Sequence, residues 1–449
     1  MNQRVPTFLV AAYLVFCTVL GGSTQIPWPN LGLQIAGIAL IAWSALWQDG
    51  PENRRTTVLN LIIIGGLALA LVQLVPLPPS IWTKLPGRTG IVEGLAVLGY
   101  PMRAFPISEM PYNSVRTLFA AIPALAAYLA TVRLLPSARG IAAAIVLGVV
   151  LSIVLGALQV AGGPSSSAYF YKVHSKGAIG FFANGNHMAT LLLVSIPMAV
   201  ALVISVKSNN RNSSAARYGL GLGFLALIIL GIALNGSRAG VALSIPVAVA
   251  SASLFPKLAR ARLIILGASL GVFAAGLAVI MSNPINSSEF DTNATAATGS
   301  RGEIWASTAK AIADSFPVGT GLGTFENVYH RYEDPAEVTR SFVNHAHNDY
   351  LELGLELGAG GLLIVILFLV WWAVAAGQIW MAAYSTPYLR AATIATGAIL
   401  VHSSVDFPLR TAAISTIFAA CVGLMARQAG STWIKNSDNR NPRRHVELI

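Results

Sequence analysis

Twelve apolar runs, each long enough to cross about 30 Å of hydrocarbon as a helix, recur along the whole length of this chain. They fall at roughly 7–22, 31–47, 57–76, 116–132, 139–162, 187–206, 217–235, 239–256, 263–282, 350–376, 390–405 and 411–427. The expected fold is therefore an all-α polytopic membrane protein with about 12 transmembrane helices. A composition that is 55% hydrophobic and only 10% charged over 449 residues agrees, since no ordinary soluble domain needs that balance to fill a core. The first run is read as a span and not as a cleavable signal: the Gly-Gly-Ser-Thr-Gln-Ile-Pro stretch after it lacks a small-x-small cleavage site, and further spans follow.

A net charge of +11 raises nucleic acid as a partner, so the placement of the charge has to be considered before its sign. With the N-terminus inside and the sides alternating, the short inside segments carry Arg54, Arg55, Arg133, Arg139, Lys257, Arg260, Arg262, Arg390 and a basic tail at 428–449. Two long outside segments, 77–115 and 283–349, hold most of the acidic residues. This is the positive-inside pattern with both termini cytoplasmic, and the basicity reports topology and contact with anionic lipid. No nucleic-acid role is expected. Cys17 and Cys421 both fall inside spans, so the outside loops have no disulfide framework.

Several outside positions carry chemistry. The proline-rich 77–115 segment reads as a surface segment. Asn184, Gly185 and Asn186 are turn formers that either cap the next helix or offer amide groups to a hydroxyl-rich ligand. Arg238 sits in Asn-Gly-Ser-Arg-Ala-Gly, a turn too short to carry it far into water, and is costly there unless paired. Lipid phosphate reached by snorkelling and an anionic ligand are both open as its partner. Ser300-Arg-Gly-Glu fits a capping box and places Arg301 in the first turn of a helix, where backbone N–H groups and a guanidinium together suit a phosphate. The glycines 319, 321 and 323 do not have Rossmann or P-loop spacing and read as a turn between two surface helices. Phe325, Tyr329 and Tyr332 form an aromatic helix face, for the membrane interface or for sugar rings.

Most of the interpretable chemistry lies between Asn344 and Gly361, where the chain enters a span. His345-Ala-His347 has a metal-ligand spacing, with Asp349 and Glu352 nearby, but on a helix the two imidazoles diverge by about 200° and no further ligand cluster stands out. No metal is expected. A general base needs only one imidazole, held by a neighbour and aimed at a hydroxyl. A helix from Asn348 onward puts His347, Gly354, Gly358 and Gly361 on one face, where Gly-x-x-x-Gly permits close helix approach. Glu356 falls on nearly the opposite face, about 13 Å below His347, as an intramembrane carboxylate whose partner is open. Arg410 is a candidate partner for Glu352. It also stands four residues from Asp406, so those two either pair with each other or line the same site.

These residues resemble the bacterial O-antigen ligase and polymerase superfamily of integral membrane glycosyltransferases. The ligase pattern of His, then Asn/Ser/Gln, nine residues, Gly, two residues and Gly/Thr/Tyr is met by His347, Asn348, Gly358 and Gly361, which selects His347 over His345. Arg238 and Arg301 look like the two outside arginines of that family, and Gln73-Leu-Val-Pro-Leu-Pro-Pro is also similar to it. The resemblance covers roughly 180–375 and implies a GT-C-like membrane enzyme of the bacterial inner membrane, with its site on the periplasmic face. It implies inverting, metal- and cofactor-independent transfer of a glycan from undecaprenyl pyrophosphate to an acceptor hydroxyl. In that reading His347 is the base, and Arg238 and Arg301 bind the pyrophosphate. Asn344, Asp349 or Tyr350 orients the imidazole; His345, Asn348, Asn186 and Arg410 support the site. Lipid A core sugar, a growing glycan and a protein hydroxyl remain open as acceptors. A polytopic transporter or flippase is the competing class, but the notable arginines cluster at one face and no inverted repeat is visible.

Overall fold

The computed structural model describes residues 3–23, 27–46, 53–171, 177–206, 211–271, 301–335 and 343–427. Among the described residues, seven helices are long and apolar enough to cross a membrane. They are α2 (Pro27–Leu46), α3 (Arg54–Val72), the Pro111–Arg133 stretch formed by α6 and α7, α8 (Ala138–Gly162), α9 (Gly185–Ser205), α10 (Arg211–Asn235) and α15 (Asp349–Met381). An eighth is obtained if α11 (Arg238–Ala252) and α12 (Pro256–Gly271), bent by 105° at their junction, count as one span.

The expected count of twelve is therefore not reached among the described residues, and helix length is the reason. α1 (Arg4–Leu20), α16 (Pro387–His402) and α17 (Ala412–Ala426) have 17, 16 and 15 residues, about 22–26 Å at 1.5 Å per residue. The run expected at 263–282 is described only to Gly271, and the tail at 428–449 lies outside the described residues, as does Ser300 of the expected capping box.

Two of the short helices, α16 and α17, are the inner ones. α17 packs against α7, α16 and α1, while α16 packs against α9. α17 is rich in Ala, Ser, Thr and Gly and is buried along most of its length. Small residues let backbones approach, which is how helices gain contact where lipid offers no hydrophobic driving force. A Cβ at Gly423 would come within 2.9 Å of the Thr131 side chain.

The outer part of the chain is built from α4 (Pro79–Trp82), α5 (Thr89–Val97), a two-residue antiparallel ribbon of β1 (Pro76–Leu77) and β2 (Phe105–Pro106), α13 (Arg301–Ser315) and α14 (Phe325–Tyr329). It has its own core, in which Ile304, Ala311, Phe325, Val328, Tyr329, Val343, Ala346 and Leu355 are buried together. The aromatic face expected at 325–332 is thus mostly core, since Phe325 and Tyr329 stack on each other inside it.

α15 differs most from expectation. It is 33 residues long, about 50 Å, and is broken at Gly358, which has φ 61° and ψ −146°. The break frees backbone groups that a buried helix cannot leave unpaired. The glycine-rich loop satisfies them: Thr320 N–H donates to Leu355 O at 3.0 Å, Gly321 N–H to Glu356 O at 2.9 Å, and Ala359 N–H to Pro317 O at 2.9 Å. Gln73 adds its amide, donating to Glu356 O at 2.9 Å and accepting from Leu322 N–H at 3.2 Å. The 317–323 segment is therefore a splint for a broken helix and not a turn between surface helices. The break also separates the nine residues 349–357, which carry Asp349, Glu352 and Glu356, from the uncharged remainder, about 23 residues or roughly 34 Å, which alone suffices to span. Glu356 stands on the acid-bearing side of the break rather than deep in a continuous span.

A β-carbon at Gly358 would lie 2.2 Å from Pro317 O, and its backbone region is open essentially to glycine alone. Gly358→Ala is expected to destabilise the protein by about 3 kcal/mol or more. A detergent-solubilised variant melting at the wild-type temperature would count against this account of the break.

Candidate functional site

The loop before α15 is fixed from three sides. Asn348 caps α15, its Oδ1 accepting from Tyr350 and Leu351 N–H, while its Nδ2 donates to Ser404 O at 2.9 Å. Asp349 N–H donates to Ser403 O at 2.9 Å. One residue before His347, Ala346 N–H donates to Glu352 Oε2 at 3.1 Å, and Ala346 O accepts from Trp305 Nε1 at 3.0 Å. These bonds clamp the loop to the C-terminal turn of α16 and to α13. His347 itself has a left-handed backbone, φ 49°, which turns its side chain off the helix.

The clamp places His347 beside a buried carboxylate. His347 Nδ1 is 3.6 Å from Asp406 Oδ1, with the His347 side chain 27% exposed and Asp406 fully buried. Asp406 follows the end of α16, and its Oδ1 accepts from Phe407 N–H at 2.8 Å. Arg301 and His187 reach the same group: Arg301 Nη2 is 3.9 Å from Oδ2 and His187 Nε2 is 3.9 Å from Oδ1. At 3.6–3.9 Å these are charge contacts rather than hydrogen bonds. Burial by itself raises the Asp406 carboxyl; the adjacent His347 imidazole, His187 and the Arg301 guanidinium outweigh it and hold the group well below the usual carboxylate range. Asp406 is therefore an anion in the neutral pH range. Phe407 completes the cluster, with His345 stacked on its ring at 4.1 Å and His187 and His347 edge-on at 4.9 and 5.1 Å.

Helix geometry explains why these elements meet. Arg301 and Trp305 are one turn apart on α13, so the helix that positions Ala346 also presents a guanidinium to Asp406. His187 and Thr190 are likewise on one face of α9. Thr190 Oγ1 is 2.8 Å from His402 Nδ1, which docks the top of α9 on the end of α16. Arg238 is the first residue of α11 and is exposed. Its turn joins the same region through the capping residue Ser237, whose hydroxyl donates to Asn186 Oδ1 at 2.7 Å. Asn186 adjoins His187 in sequence.

A second buried cluster lies behind the first. Arg410 Nη2 is 3.0 Å from Glu356 Oε2 and 3.4 Å from Glu352 Oε1, and Arg410 Nε is 3.7 Å from Asp349 Oδ1. His345 Nδ1 lies 2.9 Å from Glu352 Oε1. Arg410 is thus the partner of both glutamates. Asp406 and Arg410 do not pair: they stand on opposite sides of the Pro408–Arg410 turn, one with the histidines and one with the acids of α15.

Several expectations change. Asp349 and Tyr350 do not orient His347, because Asp349 faces Arg410 and the Tyr350 hydroxyl donates to Leu400 O at 2.6 Å. Asn344 is partly exposed and makes no side-chain hydrogen bond among the described residues. The carboxylate that stands beside the His347 imidazole is that of Asp406. His345 braces Glu352, which in turn holds the loop. Among the described residues no group of three or more His, Cys, Asp or Glu is placed to hold a metal ion. His187 and Phe407 went unnoticed in the sequence, although a histidine in the first turn of a predicted span is itself a flag.

The family described as O-antigen ligase matches residues 223–366. No curated protein matches the chain. The matched stretch contains Arg238, Arg301, His347 and both motif glycines; His187, Asp406 and Arg410 lie outside it.

Proposed function

We propose that this chain, which belongs through residues 223–366 to the O-antigen ligase and polymerase superfamily, transfers a glycan from undecaprenyl pyrophosphate to an acceptor hydroxyl. The observation that carries the reading is one partly exposed imidazole backed by a buried aspartate, with a guanidinium on the same aspartate. His347 Nδ1 is closed against Asp406, which leaves Nε2 to face the acceptor. His347 takes the proton as the acceptor oxygen attacks the anomeric carbon, and the bond from that carbon to the diphosphate breaks with inversion. Asp406 favours the imidazolium that forms.

Undecaprenyl pyrophosphate leaves as an anion, and Arg301 with Arg238 stabilises the charge that develops on it. Both arginines stand at helix N-termini, where backbone N–H groups favour the same charge. In this reading the 77–115 and 283–349 segments are periplasmic and the enzyme lies in the bacterial inner membrane. The acceptor is a surface glycan, a lipid A core sugar or a protein hydroxyl.

Deleting the gene and identifying which surface polysaccharide or glycoprotein loses length or attachment tests the reaction and names the acceptor; an unchanged envelope would overturn it. Complementation with Arg238→Lys tests the diphosphate contact. An ammonium cannot make the bidentate bond, so the variant is expected to fail with activity down about 10²-fold. Full complementation would favour the snorkelling account of Arg238.

A further inference from the structure

His187 is 3% exposed, and neither ring nitrogen has a hydrogen-bond partner among the described residues, although both are closed off from solvent. A buried imidazole that only filled space would leave two polar atoms unsatisfied in a position an apolar ring could take, which is the arrangement interiors avoid. Its surroundings show where it points. The ring lies edge-on to Phe407 at 4.9 Å and to Phe182 at 6.4 Å, and Nε2 faces Asp406 Oδ1 at 3.9 Å. That is the oxygen His347 approaches at 3.6 Å from Nδ1.

We propose that His187 is a positioning residue for the base: its Nε2–H holds the Asp406 carboxylate, and Asp406 holds His347. This rests on the reading of His347 as the base. Asp406 has three side chains around its oxygens, and they differ in what else they do. His347 must move its proton, and Arg301, 43% exposed, is the group that turns to the donor diphosphate. Once both are engaged, His187 and the Phe407 N–H are what keep the carboxylate aimed. Closing the Nε2···Oδ1 distance by about 1 Å gives an ordinary hydrogen bond. Catalytic hydrogen bonds commonly tighten in this way when substrate binds. Phe407 packs His187 and His347 together, since its one ring touches His187, His345 and His347.

The test uses the purified full chain, with donor extracted from membranes of a deletion strain and varied in concentration. His187→Ala is expected to lower kcat roughly tenfold, a fraction of the effect of losing a base, with KM for donor within about twofold. His187→Gln places an amide N–H near the position of Nε2 and is expected to return kcat to within about threefold of wild type. His187→Asn places its amide near Nδ1 and is expected to stay low. If the alanine variant does not fold, the Gln and Asn pair decides.

Equal loss in Gln and Asn, a fall expressed only in KM, or no change would overturn the proposal. His347→Ala run beside them separates the two readings. If it is inactive while His187→Ala equals wild type, the positioning role alone is wrong; if it turns over normally, the base assignment fails and takes this inference with it.

Discussion

His347→Ala is expected to abolish glycan transfer, lowering turnover by about 10²–10⁴-fold or more, while the protein still folds and inserts. The activity loss follows because no other imidazole among the described residues is free to substitute at that point: His345 is committed to Glu352 and Phe407, and His187 is buried. The survival of the fold follows from what holds the loop. The clamping bonds come from the Asn348 side chain, from backbone groups of Ala346 and Asp349, and from Trp305 and Glu352, none of which the substitution removes. His345→Ala is expected to be milder in turnover and worse in stability, because it leaves a buried carboxylate short of one neighbour. Transfer from lipid-linked donor, measured beside thermal melting in detergent, separates these outcomes. Wild-type turnover in His347→Ala would sink the base assignment.

Arg410→Met is expected to cost about 3–5 kcal/mol of stability. The substitution is close in length, so packing is largely kept, but Asp349, Glu352 and Glu356 lose the guanidinium that all three approach. Buried carboxylates without a partner are far more destabilising than the original pair was stabilising. The same residues join the Pro408–Arg410 turn, and with it Asp406, to the segment that follows His347, so activity should fall with stability. Adding Glu356→Gln to Arg410→Met removes one stranded charge and is expected to restore part of the loss; simple additivity of the two changes would contradict the pairing.

The splinted break in α15 shows how sequence reading and structure diverge. Gly354-x-x-x-Gly358 was legible as a close-packing face on a continuous helix, and the glycines at 319, 321 and 323 as a turn. Nothing in the sequence links the two, because a loop that satisfies a broken helix 35 residues away leaves no local signal in the chain. Glu356 was legible as a costly carboxylate, yet its partner depended on how a turn some fifty residues later folds back. The arginines followed the same pattern. Arg301 was recognisable from its place in a helix start, whereas its contact with Asp406 requires α13 and α16 to meet.

What the amino-acid order determined by itself is whatever depends on length, period and local chemistry. Apolar runs fix helices because a spanning segment must bond its own backbone, and seven of those runs are candidate spans in the folded chain. The resemblance to the ligase pattern points to His347, and it is readable in the chain because that His-Asn and glycine pattern is contiguous. Only the tertiary structure decided which side chain stands behind that imidazole. Asp406 and His187 are about 60 and 160 residues away in sequence, and charge contacts across that distance are set by the packing of α9, α13 and α16 rather than by any period in the chain.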